Sequence, residues 1–102
     1  MMKNKAINAL IKMGMPAEIK GFRYIVDAMC LFNPDYNVTT IYSVVAQKNN
    51  TTPSRVERAI RHAFGAVLTD GAPEYVDAYL TRNHTTNGNL LHVLYLRLTQ
   101  EE

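Results

Sequence analysis

Between Thr52 and Leu68 the sequence leaves little choice but an amphipathic helix. Thr52 is suited to the N-cap. Pro53 at the first helical position forfeits no hydrogen bond, because the donor it lacks would have no intrahelical acceptor there. At ~100° per residue, Val56, Ala59, Ile60, Ala63, Phe64 and Val67 gather on one broad arc. Ser54, Arg55, Arg58, Arg61, His62 and Gly65 fall opposite it within roughly 120°, and Glu57 borders that second arc. Such a helix buries one side in a core and turns arginines outward on the other.

The rest of the chain reads as helices of similar or shorter length. Turn residues at Gly14-Met15-Pro16, Asn33-Pro34-Asp35, Asn49 to Pro53, Asp70 to Pro73 and Arg82 to Gly88 divide it into six segments. Asn4 to Met13 carries Ile7, Leu10 and Ile11 at helical spacing and ends at Gly14. Ile19 to Phe32 buries Phe22, Ile25, Val26 and Met29, and Asn33-Pro34 stops it. Thr39 or Thr40 caps Ile41 to Lys48; Pro73 to Leu80 makes a short fifth helix. Asn89 to Thr99 makes the sixth on a stripe of Leu90, Leu91, Leu94 and Leu98. The expectation is an all-α, six-helix domain over residues 1–102, with helices three and four forming a helix-turn-helix. At 102 residues, 47% hydrophobic, the chain suits one core without staples.

Several function classes lose their basis. The lone Cys30, set among Val26, Ala28, Met29, Leu31 and Phe32, reads as a buried structural thiol and rules out a disulfide framework. His84 and His92 lack partners at ligand spacing, so no metal or other cofactor is expected. No nucleophile–base set or glycine-rich phosphate loop is present, which argues against an enzyme. No apolar run approaches the ~20 residues of a membrane span, and Met1 to Leu10 lacks a signal-peptide apolar region. A cytoplasmic protein is expected. Charge is uneven: nine Lys/Arg face four Asp/Glu up to Thr69, and two face five after it. The basic surface therefore lies upstream.

A helix, a short Asn/Thr-rich turn and a second helix with an arginine side form the pattern that enters the major groove of double-stranded DNA. Guanidinium groups donate two bonds to guanine O6 and N7, while lysines and hydroxyls hold phosphates. Glu57 can accept from cytosine N4 or restrain Arg61 as an i,i+4 pair, and Gly65 leaves room for DNA. On these residues alone, an ordinary solvated cationic face stands at equal weight.

The run Asn50-Thr-Thr-Pro-Ser-Arg-Val-Glu-Arg-Ala-Ile-Arg-His-Ala63 resembles the recognition helix of the C-terminal effector domain in the stage zero sporulation protein A family. Gly14 to Tyr24 is similar to that family's Gly-x-Pro-Ala-x-Ile-Lys-Gly-Tyr-x-Tyr, and Thr86-Asn87 to the opening of its last helix. The resemblance spans essentially the whole chain. It implies base contacts from Arg55, Glu57 and Arg58, with Arg61 and His62 on neighbouring DNA-facing positions. It also implies phosphate contacts from Lys20, Lys48, Thr52 and Ser54. As partners it implies DNA, an RNA polymerase sigma factor and tandem protomers on repeated boxes.

The departures are specific. Phe64 to Leu68 differs from the family's continuation, and the fifth helix, its route to the sigma factor, matches poorly. Leu80 to Thr85 lacks the family's lysines, leaving Arg82 and His84 to replace a backbone contact there. Asp27 and Asp35 have no receiver pattern around them, so an effector domain without a receiver or its phosphoacceptor is expected. Met1-Met2-Lys3 reads more like a natural start than a cut, with a piece of a two-domain regulator as the other option. The rival reading is a stand-alone module that binds the full-length regulator or RNA polymerase and acts by competition.

Overall fold

In the computed structural model, which describes residues 1–101, two helices meet at a glycine, with no side chain on one of them at the point of closest approach. They are α2 (Lys20–Leu31) and α4 (Pro53–Asp70). A Cβ at Gly21 would fall 2.6 Å from the Ala63 Cβ and nearer still to the Ala59 carbonyl oxygen. The glycine is what lets the two backbones approach. Around this pair lie α1 (Met2–Met13), α3 (Val38–Lys48), α5 (Pro73–Tyr79) and α6 (Asn87–Thr99). No strand occurs among the described residues.

The core face of α4 is the one its sequence periodicity predicts. Val56, Ile60, Ala63, Phe64 and Val67 are buried, and Ala59 is half-buried where it meets α2. They pack with Leu10 and Met13 of α1, Ile25 and Met29 of α2, Val45 of α3 and Leu90, Leu91, Leu94 and Leu98 of α6. One cluster serves all six helices. Burying a Leu, Ile or Phe side chain contributes about 1.5–3 kcal/mol, so this shared cluster is the main source of stability.

Helix starts differ from the sequence reading for reasons of capping. The α3 cap is Asn37, whose Oδ1 accepts from the Thr40 N–H at 2.8 Å, so Thr39 and Thr40 lie inside the first turn. Thr52 caps α4 as expected, accepting from the Arg55 N–H at 3.3 Å, and the helix runs two residues past Leu68 to Asp70. The Thr86 hydroxyl caps α6 by accepting from the Asn89 N–H. That cap starts the helix at Asn87, three residues before its leucine stripe. α1 likewise begins at Met2 rather than Asn4.

Two side chains face the other way from expectation. Cys30 is exposed. It follows Arg23 by seven residues, two helical turns, and so shares that residue's outward stripe despite its apolar neighbours. Ile11 is 56% exposed, because Ala6, Ala9, Leu10 and Met13 define the inner face of α1 and leave Ile11 about 100° round from Leu10.

Two glycine-to-alanine substitutions on this helix pair are expected to have opposite effects. Gly21→Ala overpacks the α2–α4 contact and is expected to lower stability by about 1–3 kcal/mol. At Gly65, within α4, a Cβ would meet nothing within 4 Å. Gly65→Ala is therefore expected to raise stability by about 0.5–1 kcal/mol. Urea unfolding of both variants checks this; equal effects would contradict the close-packed crossing.

Candidate nucleic-acid interface

The turn between α3 and α4 is built from its own side chains. Asn50 adopts a left-handed conformation at φ 54°, one that asparagine tolerates better than most residues. The Thr51 N–H then donates back to the Ala46 carbonyl at 3.0 Å, closing the end of α3. A buried carboxylate holds this turn from below. Asp27, projecting from α2, accepts from Lys48 Nζ at 3.1 Å and from Asn49 Nδ2 at 2.9 Å. The Asn49 amide also donates to the Val45 carbonyl at 2.9 Å. α2 therefore fixes both ends of the arrangement, packing on α4 at Gly21 and bonding the turn at Asp27.

On the outward face of α4, Ser54, Arg55, Arg58, Arg61 and His62 are all exposed, as is Thr52 at its cap. Gly65 continues that face into open space. Arg55, Arg58 and His62 also line a cleft of about 450 Å³ with Lys20, Gly21, Tyr24 and Thr51. The structure thus brings Lys20, thirty-five residues away in sequence, beside the arginines. Glu57 stands apart from them. It is half-buried and pairs with Arg61, its Oε2 lying 3.3 Å from Arg61 Nη1.

The opposite flank of α4 is pinned by α6 and the loop before it. Buried Asn87 donates from Nδ2 to the Glu57 carbonyl at 2.9 Å and also hydrogen-bonds the Tyr42 side chain. Burial pushes the Tyr42 phenol up from its ordinary value, and the Asn87 bond opposes that shift. Arg82 donates from Nη1 to the Leu68 carbonyl at 3.1 Å and from Nε to Asp77 at 3.1 Å. The loop is therefore anchored beside α4 at Leu68 and again at Glu57, eleven residues or about 16 Å apart along the helix. His84 lies in this loop, exposed, with a left-handed backbone and a carbonyl that accepts from Asn89 Nδ2 at 2.9 Å.

Apart from His84 in the loop before α6, the residues singled out from sequence therefore fall into two groups. Lys20, Thr52, Ser54, Arg55, Arg58, Arg61 and His62 share one exposed surface. Lys48 and Arg82 are engaged by Asp27 and by Asp77 with the Leu68 carbonyl, while Glu57 is paired with Arg61. Sequence reasoning did not find Asp27, Tyr42 or Asn87 as the groups that hold this surface. For Asp27 a signal existed, since one carboxylate interrupts the apolar run Ile25-Val26-Asp27-Ala28-Met29. Asn87 and Tyr42 had none, because Asn87 reaches Glu57 across thirty residues and Tyr42 meets Asn87 from a distant part of the chain.

The family model described as sporulation initiation factor Spo0A C terminal matches residues 6–98, all but the ends of the chain. The chain belongs to this family. The family is the DNA-binding domain of the sporulation transcription regulator, and membership supports DNA binding by this chain. The six helices and the lack of strands among the described residues accord with that membership. Among the described residues, no helix is long and apolar enough to cross a membrane, and no three His, Cys, Asp or Glu side chains converge as a metal site.

Asn87→Ala is expected to cost about 1–3 kcal/mol, since it removes a buried bond to α4 and leaves Tyr42 short of a partner. Denaturant unfolding against the exposed control Asn8→Ala measures it. A loss below about 0.5 kcal/mol, the size ordinary for surface changes, would show that α6 does not brace α4 through this residue.

Proposed function

We propose that the chain binds double-stranded DNA sequence-specifically, as a transcription regulator, with α4 in the major groove. The observation that carries this reading is the outward face of α4, where cationic side chains stand clear of the protein beside a glycine with nothing over it. Arg55 and Arg58 lie on that face and extend to base edges as bidentate donors to guanine. Glu57 takes cytosine N4 as acceptor, with Arg61 free to turn from it towards phosphate. Thr52, Ser54, His62 and Lys20 hold the flanking backbone and fix the register of the helix.

Lys48 joins them by exchanging its Asp27 contact for a phosphate, which its 55% exposed side chain permits. Arg82 and His84 serve the second flank, where the anchored loop runs along α4. The reading rests on the basic face of α4, not on α5, so it concerns DNA recognition rather than contact with a sigma factor.

Arg58→Ala is expected to cost about 1–3 kcal/mol on the preferred site and to relax discrimination at one base pair. Site selection from a random duplex pool identifies that site, and binding titrations on its single-base variants give the profile. Unchanged affinity with an unchanged profile would remove Arg58 from the base-reading set.

A further inference from the structure

A second basic depression adjoins the recognition cleft on its α2 side. It measures about 690 Å³ and lies between the N-terminal part of α1, the segment before α2, α2 itself and the end of α3. Its charged lining comprises Lys3, Glu18, Lys20, Arg23, Asp27 and Lys48, four cations against two carboxylates. Asp27 already accepts from Lys48 and Asn49, so the positive excess falls on Lys3, Lys20 and Arg23. On α2, Lys20, Arg23 and Asp27 occupy one arc of roughly 60°. Lys20 and Ile19 line both this trench and the cleft beside Arg55 and Arg58. The two are one continuous surface.

Its direction is set by the helix packing. Ala59, which meets α2, and Glu57, which meets α6, lie about 160° apart around α4, on either side of its arginine face. A helix lying in a major groove ~12 Å wide has a phosphate strand along each flank. Packed helices stand 8–10 Å apart, so the α2 flank lies where one of those strands must pass. We infer that the trench is a phosphate track, with Arg23 and Lys3 contacting DNA backbone beyond the base pairs that α4 reads. This rests on the proposed placement of α4 in the groove. Glu18 on the trench wall opposes the track by repelling the strand.

The test is the salt dependence of binding by Arg23→Ala, Lys3→Ala and Glu18→Gln, read by fluorescence anisotropy on the preferred site and on a scrambled duplex of equal length. All three side chains are exposed, so circular dichroism is expected to match the wild-type protein, and Lys12→Ala is the control outside the trench. Each alanine variant is expected to shallow the plot of log affinity against log salt by about 0.9, equally on both duplexes. Glu18→Gln is expected to tighten both complexes. Wild-type slopes in Arg23→Ala and Lys3→Ala, with the wild-type protein binding DNA, would overturn the track alone. A wild-type protein that binds neither duplex would overturn the groove placement and the track together.

Discussion

The contact between Gly21 and the Ala59–Ala63 surface sets where everything else can sit. With no Cβ on one helix and only methyl groups on the other, α2 and α4 pack backbone to side chain along a short crossing. That fixes the rotation of α4, because its alanine edge must face α2. Once that rotation is fixed, Phe64 and Ile60 point into the core and the arginines point away from it. A larger residue at Gly21 would push α4 outward and loosen the core together with the presented surface.

Polar contacts then secure the position that packing selects. Asp27 is a carboxylate in a mostly buried position, costly unless satisfied, and it accepts from both Lys48 and Asn49. Asn87 does the equivalent from α6, donating to a backbone carbonyl in the second turn of α4. Arg82 bonds the last turn through the Leu68 carbonyl. The helix is thus held at its preceding turn, near its start and at its end, while the side carrying Arg55, Arg58 and His62 is left without cover. A rigid helix with a free cationic face loses little conformational entropy on docking, which favours binding.

Much of this was legible in the sequence, and the illegible parts share a cause. The six helices, the core face of α4, its Thr52 cap and its exposed arginines follow from periodicity and capping, which act over a few residues. Periodicity alone set the starts at Val38 and Asn87 too late, where an Asn or Thr cap preceded the apolar stripe, although family resemblance marked Thr86-Asn87 as a helix opening. Cys30 was misplaced because an apolar neighbourhood in sequence does not say which way a helix turns each side chain. The engagement of Lys48 by Asp27 and of Arg82 by Leu68 depends on contacts 21 and 14 residues apart, and no local pattern records them. The surface brought together by Lys20 and Arg58 was visible only through family resemblance, until the α2–α4 crossing placed them beside one cleft.

The central claim is that the exposed face of α4, flanked by α2, is the surface that meets DNA. Backbone amide chemical shifts of the isotopically labelled protein, followed as a duplex carrying its preferred site is added, test it most directly. The account predicts the largest changes from Thr52 to Gly65 and around Lys20 and Arg23, with α5 and the end of α6 about Arg97 little affected. Changes concentrated on α5 and the exposed Tyr75 and Leu96, with α4 silent, would contradict it.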